Sequence, residues 1–298
     1  MNAGLANAFA AFICWGLFPL YFQFITHVPS LEVVLHRSVW SLLLVLGILA
    51  WQKRWAWLGE SLRQPKRLAT FLLSALLLWA NWLVYVYAAQ NGHVVEASLG
   101  YFINPLVSVL LGVLVLRERL RSAQWAAVVL AAAGVAWLTA VAGRPPWIAL
   151  TLAFSFGFYG LIRKTATLGP LEGLALENLL LAPIVVPALA WWTLSRNGVL
   201  VSGDSTLIGL MLLSGPLTAA PLLFFAAAAR RLPLATLGLV QYLSPSIQFV
   251  LAVTLFNEPF SLKRGIGFGF IWLGLAIYSA EGLWRYRRQQ AQARPAPT

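Results

Sequence analysis

Residues 96–118, EASLGYFINPLVSVLLGVLVLRE, are long and apolar enough to cross a lipid bilayer, yet they carry Asn104 and Pro105 in their first half. A proline removes one backbone donor and kinks a helix, and in lipid the freed carbonyl group needs another partner. We therefore expect this helix to face protein or water at its bend. Small and polar residues recur every four positions and form one narrow face: Gly100, Asn104, Ser108 and Gly112.

A second stretch, residues 235–258, ATLGLVQYLSPSIQFVLAVTLFNE, repeats this design. Pro245 lies thirteen residues before Glu258, as Pro105 lies thirteen residues before Glu118. We interpret Pro105 and Pro245 as the bends of two kinked helices in the middle of a transport pathway.

The composition is that of a polytopic membrane protein. Of the 298 residues 60% are hydrophobic and only 10% are charged, whereas a soluble protein carries roughly 25% charged residues. The net charge of +12 does not indicate a nucleic-acid binder, because the basic residues lie in short gaps between apolar segments. The single cysteine, Cys14, excludes a disulfide framework and a multi-cysteine metal site, and we expect no cofactor.

The hydropathy pattern predicts an all-α fold with ten transmembrane helices. We expect them at residues 5–25, 32–51, 68–89, 97–116, 123–142, 147–163, 172–194, 205–229, 235–256 and 265–284. If the N-terminus is cytoplasmic, sixteen Lys and Arg residues lie in inner segments and four in outer segments. This asymmetry predicts a bacterial inner-membrane protein with both termini in the cytoplasm and no cleaved signal peptide.

An internal repeat relates the two halves of the chain. Three pairs share an offset of 140 residues: Pro105 with Pro245, Glu118 with Glu258, and Glu32 with Glu172. Because five is odd, a repeated five-helix unit inserts upside-down the second time. We therefore predict a first repeat over residues 1–143, a second, inverted repeat over 144–284, and a basic, disordered cytoplasmic tail over 285–298.

Six short strings carry a resemblance to a known family: HRSVWS (36–41), NWL (81–83), EASLGYFINPL (96–106), AFSFGFYGLIRK (153–164), TLG (236–238) and QYLSP (241–245). They resemble the RarD proteins, the chloramphenicol-sensitivity family in the EamA branch of the drug/metabolite transporter superfamily. The resemblance covers residues 5–284 and implies an inner-membrane permease of ten helices in two inverted halves. It also implies a central cavity lined by the first four helices of each half.

His36 and Arg37 form the first candidate pair. An arginine about two turns inside a span either extends to the lipid headgroups or lines a cavity, where it orients an anionic or polar group of a substrate. His36 lies four residues after Glu32 and could instead be its structural partner. We place both His36 and Arg37 in the predicted cavity.

Glu177 lies 140 residues after Arg37, inside the seventh predicted helix. We predict that it faces the cavity and binds a proton during transport. The alternative is a static Arg37–Glu177 salt bridge that holds the two halves together.

Other polar and aromatic residues share helical faces near the two bends. A flat ring with a polar group suits an amphipathic ligand, although helix packing and an interfacial aromatic belt would also explain such residues. The remaining predicted cavity residues are Asn81, Trp82, Tyr85, Tyr101, Asn104, Gln241, Ser244 and Gln248. In the last helix, Gly265 and Gly269 form a GxxxG surface for close packing within the protomer or in a homodimer.

The function predicted from these features is secondary transport of a small-molecule substrate across the lipid bilayer. We expect an exporter of metabolites or drugs that works by alternating access and is driven by a proton gradient or by exchange, since the chain has no Walker A sequence. The alternatives are a passive channel or scaffold and a membrane-embedded enzyme. The enzyme is disfavoured because Asp204 is the only aspartate, so that an aspartyl dyad cannot form.

Overall fold

The computed structural model describes residues 3–90, 94–142, 147–195, 198–255 and 262–292, and its regular elements there are all helical. The α-helices are α1 (Ala3–Gly16), α2 (Phe18–Phe22), α3 (Ser30–Trp51), α4 (Ala56–Leu62), α5 (Pro65–Gln90), α6 (Val94–Leu114), α7 (Ser122–Ala142), α8 (Trp147–Thr165), α9 (Pro170–Ser195), α10 (Ser205–Ala229), α11 (Leu234–Gln241), α12 (Leu243–Thr254) and α13 (Leu262–Gln292). Short 3-10 turns cover Gln23–Ile25 and Val199–Val201.

The helices have the length and surface of membrane-spanning segments. Within the described ranges, seven segments are long and apolar enough to cross a bilayer, and two shorter apolar helices cover Leu99–Leu114 and Gly265–Glu281. Large apolar side chains such as Leu43, Val129 and Leu194 are exposed on the outside of the bundle. An aqueous surface would disfavour so many exposed apolar groups, whereas lipid accommodates them. The chain is therefore an all-α polytopic membrane protein.

The helices begin within three residues of the predicted segments, but two segments are interrupted. The first breaks after Gly16, and Pro19 stands in the first turn of α2. The ninth breaks at Tyr242, between α11 and α12, because Pro245 has no backbone N–H to offer the carbonyl group of Gln241. In contrast, α6 continues through Pro105.

The last helix is longer than predicted. It continues to Gln292, through part of the segment 285–298 that we expected to be disordered. Residues 285–292, RYRRQQAQ, are mostly good helix formers, so α13 extends as a regular helix once it has begun. Glu258 and residues 293–298 lie outside the described residues.

Glycines allow two pairs of helices to approach closely. A Cβ atom on Gly134 of α7 would lie 2.6 Å from the carbonyl oxygen of Gly267 in α13. A Cβ atom on Gly238 of α11 would lie 2.7 Å from the carbonyl oxygen of Pro105 in α6. The close-packing glycines of α13 thus include Gly267 and also Gly274, where a Cβ atom would lie 2.8 Å from the carbonyl oxygen of Ala127 in α7. Gly269, which we predicted for this role, has open space around its Cα atom.

One end of the bundle is closed by charged groups, and we call it the basic end. Arg54, in the loop after α3, binds Glu172 at the start of α9. Glu118 accepts hydrogen bonds from the backbone N–H groups of Leu234 (2.6 Å) and Ala235 (2.8 Å), and the Lys164 Nζ atom lies 3.8 Å from its carboxylate. These contacts tie together loops that are far apart in the sequence.

Candidate functional site: a cavity between the helices

A cavity of about 960 Å³ lies between the helices. Residues of all the helices except α4 and α9 line it, and most of these residues are apolar or aromatic. This volume is at the upper end of the range for pockets that hold small organic ligands, which is about 300–1,000 Å³. The cavity is therefore large enough for a drug-sized molecule.

Within the described ranges, the cavity reaches one end of the bundle and not the other. Thr26 and Val141 line it at the end opposite to the basic end. Among the described residues, the charged groups of the basic end do not line it. Packed apolar side chains, including Tyr159, Phe225 and Leu234, fill the space between the cavity and the basic end. A molecule in the cavity would thus have access to one side of the membrane only.

Most of the predicted cavity residues line this space. They are Arg37, Asn81, Trp82, Tyr85, Tyr101, Asn104, Gln241, Ser244 and Gln248, and Pro245 lies beside them. Pro105 does not line the cavity, since it faces Gly238 of α11.

His36 does not belong to the cavity either. Its side chain is fully buried, and its Nδ1 atom accepts a hydrogen bond of 3.0 Å from the indole N–H of Trp40. That bond leaves the proton on the Nε2 atom, which lies 3.7 Å from the carboxylate of Glu32. The structure therefore gives His36 the role of a partner of Glu32, which was the alternative to a cavity role.

Arg37 extends from α3 into the cavity and is held on several sides. Its Nε atom donates a hydrogen bond of 2.9 Å to the hydroxyl oxygen of Thr218 in α10. The guanidinium carbon lies 5.0 Å from the ring centre of Trp82, 5.6 Å from that of Phe18 and 6.0 Å from that of Phe22. Cation–π contacts at these distances stabilise a guanidinium away from bulk water and fix its position.

The side chains of α5 form one wall of the cavity. The Asn81 Nδ2 atom donates to the carbonyl oxygen of Leu152 (2.8 Å) and to the hydroxyl oxygen of Ser155 (3.0 Å), which joins α5 to α8. The rings of Tyr85 and Tyr101 meet edge to face with their centres 6.1 Å apart. Asn81 therefore has a structural role, whereas the two tyrosines present ring surface to the cavity.

The bottom of the cavity, which is its closed end, carries three side-chain amides. The Gln248 Nε2 atom donates to the carbonyl oxygen of Trp15 at 3.0 Å, next to the break between α1 and α2. The side-chain oxygens of Asn104 and Gln241 are buried and have no hydrogen-bond partner among the described residues. A buried carbonyl oxygen without a donor costs free energy, so these two amides can accept hydrogen bonds from a ligand.

Glu177 lies outside the cavity. Its Oε1 atom accepts a hydrogen bond of 2.6 Å from the hydroxyl of Ser74 and lies 3.4 Å from the Arg163 Nη1 atom, and both charged side chains are about 1% exposed. The static Arg37–Glu177 salt bridge is therefore wrong for this structure, because Arg163 is the cation that pairs with Glu177. Arg163 also donates to the carbonyl oxygen of Pro170 at 3.1 Å.

The lining residues that were predicted individually lie in α3, α5, α6, α11 and α12, whereas no individual residue was predicted for the lining contributed by α1, α2, α8 and α10. The lining residues of these last four helices include Trp15, Phe18, Phe22, Phe156 and Thr218. The aromatic residues resemble ordinary apolar residues of a membrane helix, so no local signal distinguishes them. Thr218 could have been found, since it is a polar residue between Pro216 and Pro221 inside an apolar helix.

A bundle of membrane helices around a cavity that is open to one side defines the architecture of a membrane transporter. The model of the EamA-like transporter family matches residues 2–140 and again residues 145–280. The chain belongs to this family, and it is a multi-pass protein of the bacterial inner membrane. The family indicates a transporter rather than an enzyme.

Curated relatives match the chain over nearly its full length. Protein RarD of Streptomyces exfoliatus is 45% identical, and the match covers 99% of this chain and 94% of that protein. Protein RarD of Escherichia coli is 39% identical over 96% of both chains. The chloramphenicol-sensitive protein RarD of Pseudomonas aeruginosa is 29% identical, again over 96% of both chains. A solved crystal structure shares the fold, with a TM-score of 0.71, 19% identity, and coverage of 94% of this chain and 97% of the other.

Proposed function

We propose that the protein is a secondary transporter that exports small organic metabolites or drugs by alternating access, and that the cavity is its substrate site. The observation that carries this proposal is the asymmetry of the cavity, which reaches one end of the bundle while packed side chains and ion pairs close the basic end. This is the arrangement expected of a carrier that faces the outer side.

The packing of the helices supports two repeats of five spans, residues 1–143 and 144–284. In the two repeats α1 corresponds to α8, α3 to α9, and α5 to α10. Helix α1 packs on α10, and correspondingly α8 packs on α5. Helix α3 also packs on α10, and correspondingly α9 packs on α5. Helix α6 corresponds to α11 and α12 together. Helix α1 packs on α12, and correspondingly α8 packs on α6. Each pair of contacts exchanges equivalent helices of the two halves, as an approximate two-fold axis in the membrane plane requires. The separate match of the family model to each half agrees with this division.

Two equivalent glutamates support the inverted orientation of the second repeat. Glu32, at the start of α3, accepts a hydrogen bond of 2.6 Å from the backbone N–H of Val199, in the loop after α9. Glu172, at the start of α9, binds Arg54 in the loop after α3. The first contact lies at the open end and the second at the basic end. Equivalent contacts at opposite ends are expected for ten spans in two inverted halves.

Transport would require the basic end to open while the outer end closes. Rocking of one repeat against the other would separate Glu118 from the N-terminus of α11 and Arg54 from Glu172. The breaks at Leu17 and Tyr242 are the positions where helices α1–α2 and α11–α12 can bend as the repeats rock. Both breaks adjoin the cavity, so bending there changes the shape of the substrate site.

Glu177 remains the candidate for proton coupling. It is a carboxylate that is enclosed together with Arg163 on the closed side, at the position equivalent to Arg37 in the other repeat. When the basic end opens, water would reach this pair, and the carboxylate could exchange a proton there. Glu177→Gln should then abolish flux driven by a pH gradient and leave substrate exchange intact. Unchanged pH-driven flux in this variant would remove the proton role.

A counterflow experiment tests the proposed function. Purified protein in liposomes preloaded with an unlabelled compound should concentrate the labelled compound from outside, because a carrier exchanges the two. Suitable probes are amino acids, nucleobases and amphenicol drugs, the last because one relative is named for chloramphenicol sensitivity. A passive channel would equilibrate the label without concentrating it. Failure of every probe to show counterflow while label leaks through the protein would contradict the proposal.

The topology and the assembly state are parts of the same proposal. Both termini would lie in the cytoplasm, since the basic end contains the loops with most of the Lys and Arg residues. The open surface around Gly269 is available for packing against a second copy of the chain.

A further inference from the structure

Arg37 gives the cavity an uncompensated positive charge. Its contacts are the hydroxyl of Thr218 and three aromatic rings, and the lining residues in the described part of the chain include no carboxylate. The bond to Thr218 uses only the Nε atom, and no described residue hydrogen-bonds to Nη1 or Nη2. These two nitrogens point the same way in a planar guanidinium and match the two oxygens of a carboxylate.

A second recognition point lies at the bottom of the cavity. Asn104 and Gln241 are 4% and 7% exposed, and both side-chain oxygens lack a hydrogen-bond partner in the described structure. The close approach of Gly238 to the Pro105 carbonyl group brings α11 against α6, so that the two amides belong to one region. A ligand that donates hydrogen bonds there would satisfy both oxygens.

Aromatic side chains line the same cavity as these two points. Trp82 and Tyr85 lie on the α5 side, while Trp15 and Phe156 meet edge to face with ring centres 5.5 Å apart. Such walls favour a flat apolar body over a strongly hydrated chain. The cavity therefore offers a cation, aromatic surfaces and hydrogen-bond acceptors.

We propose that the substrate is an amphipathic organic anion, with a carboxylate that binds Arg37 and a hydrogen-bond donor at its other end that binds the side-chain oxygen of Asn104 or Gln241. This inference rests on the proposed role of the cavity as the substrate site. It goes beyond the transport function because it defines the charge of the substrate and the position of its polar groups.

Three benzoic acid derivatives test the proposal by binding to the purified protein at neutral pH. The probe 4-hydroxybenzoate carries both groups, 4-methoxybenzoate lacks the donor, and methyl 4-hydroxybenzoate lacks the charge. Isothermal titration should show the first binding at least about tenfold more tightly than the uncharged ester. The protein should bind 4-hydroxybenzoate roughly threefold to tenfold more tightly than 4-methoxybenzoate.

Substitutions at the two points should remove the two preferences separately. Arg37→Gln should abolish the preference for the acid over the ester and retain the preference for hydroxyl over methoxy. The double variant Asn104→Leu with Gln241→Leu should do the reverse, because a single hydroxyl can donate to either oxygen. Asn7→Leu removes an exposed amide outside the cavity and serves as the matched control, which should bind all three probes as the unaltered protein does. Loss of both preferences in Arg37→Gln and also in the double variant would overturn the proposal of two separate recognition points.

Equal affinity of the unaltered protein for the three probes, or tighter binding of the ester, would overturn the proposal. No detectable binding of 4-hydroxybenzoate would also overturn it. These outcomes are separate from the test of transport. If the crossed binding pattern is found while counterflow fails for every compound, the anion site stands and the carrier function falls. If counterflow is found only for cations or neutral compounds, the anion site falls and the carrier function stands.

Discussion

The hydroxyl of Tyr242 donates a hydrogen bond of 3.1 Å to the backbone carbonyl oxygen of Phe102, and these two residues are 140 positions apart in the chain. The same offset relates Pro105 to Pro245. Tyr242 and Phe102 are thus equivalent positions of the two proposed repeats that touch each other. Equivalent residues can touch only near an axis that relates the halves. Since Phe102 also lines the cavity, this axis passes beside the cavity.

The Arg163–Glu177 pair should be sensitive to the loss of one partner. Arg163→Met leaves the Glu177 carboxylate buried without its cation, which typically costs about 3–5 kcal/mol. The double variant Arg163→Met with Glu177→Met removes both charges and should recover most of this loss. Thermal unfolding of the detergent-purified proteins measures the difference. A double variant that is no more stable than Arg163→Met would show that the pair does not couple.

Glu118 should stabilise the start of α11. Its carboxylate accepts hydrogen bonds from the Leu234 and Ala235 N–H groups, which have no partner earlier in that helix. Glu118→Ala should therefore lower the free energy of unfolding by about 1–2 kcal/mol, as the loss of a helix cap does. The control is Glu60→Ala, since Glu60 is an exposed carboxylate that forms an ion pair with the more buried Arg67. That change should cost less than about 1 kcal/mol, and equal effects of the two substitutions would contradict the capping role.

The contact between α7 and α13 should not tolerate a methyl group at Gly134. A Cβ atom there would lie 2.6 Å from the Gly267 carbonyl oxygen, so the two backbones would have to separate. We expect Gly134→Ala to destabilise the protein by about 1–3 kcal/mol. Gly47→Ala is the matched control, because Gly47 is also inside a helix but has open space around it. The control should be neutral or slightly stabilising in the same melting experiment.

Single cysteines should report the orientation of the chain. In a Cys14→Ser background the introduced residue is the only thiol, since the natural sequence has one cysteine. Thr26→Cys, at the exposed open end, should react with a membrane-impermeant maleimide in intact spheroplasts. Arg119→Cys, at the exposed basic end, should react only after the membrane is permeabilised. The reverse pattern would mean that the termini face outward.

The approximate positions of the apolar helices could be read from the sequence because burial in lipid is a local property. A run of about twenty apolar residues satisfies its own backbone hydrogen bonds and needs no information from distant parts of the chain. The prediction failed where a helix continues beyond the membrane, as α13 does, or where it breaks inside an apolar run, as at Leu17. Apolarity does not distinguish a continuous helix from a broken one.

Much of the cavity lining could also be predicted, since polar residues such as Arg37, Asn104 and Gln241 stand out within apolar helices. Which partner each charge takes could not be predicted. Arg37 binds Thr218, which is 181 residues away, and Glu177 takes Arg163 rather than Arg37. These choices depend on how the helices rotate and approach each other. The sequence by itself thus determined the class, the approximate positions of the helices and the offset of 140 residues. The tertiary structure alone decided the ion pairs and the shape of the cavity, because both depend on packing between helices distant in the chain.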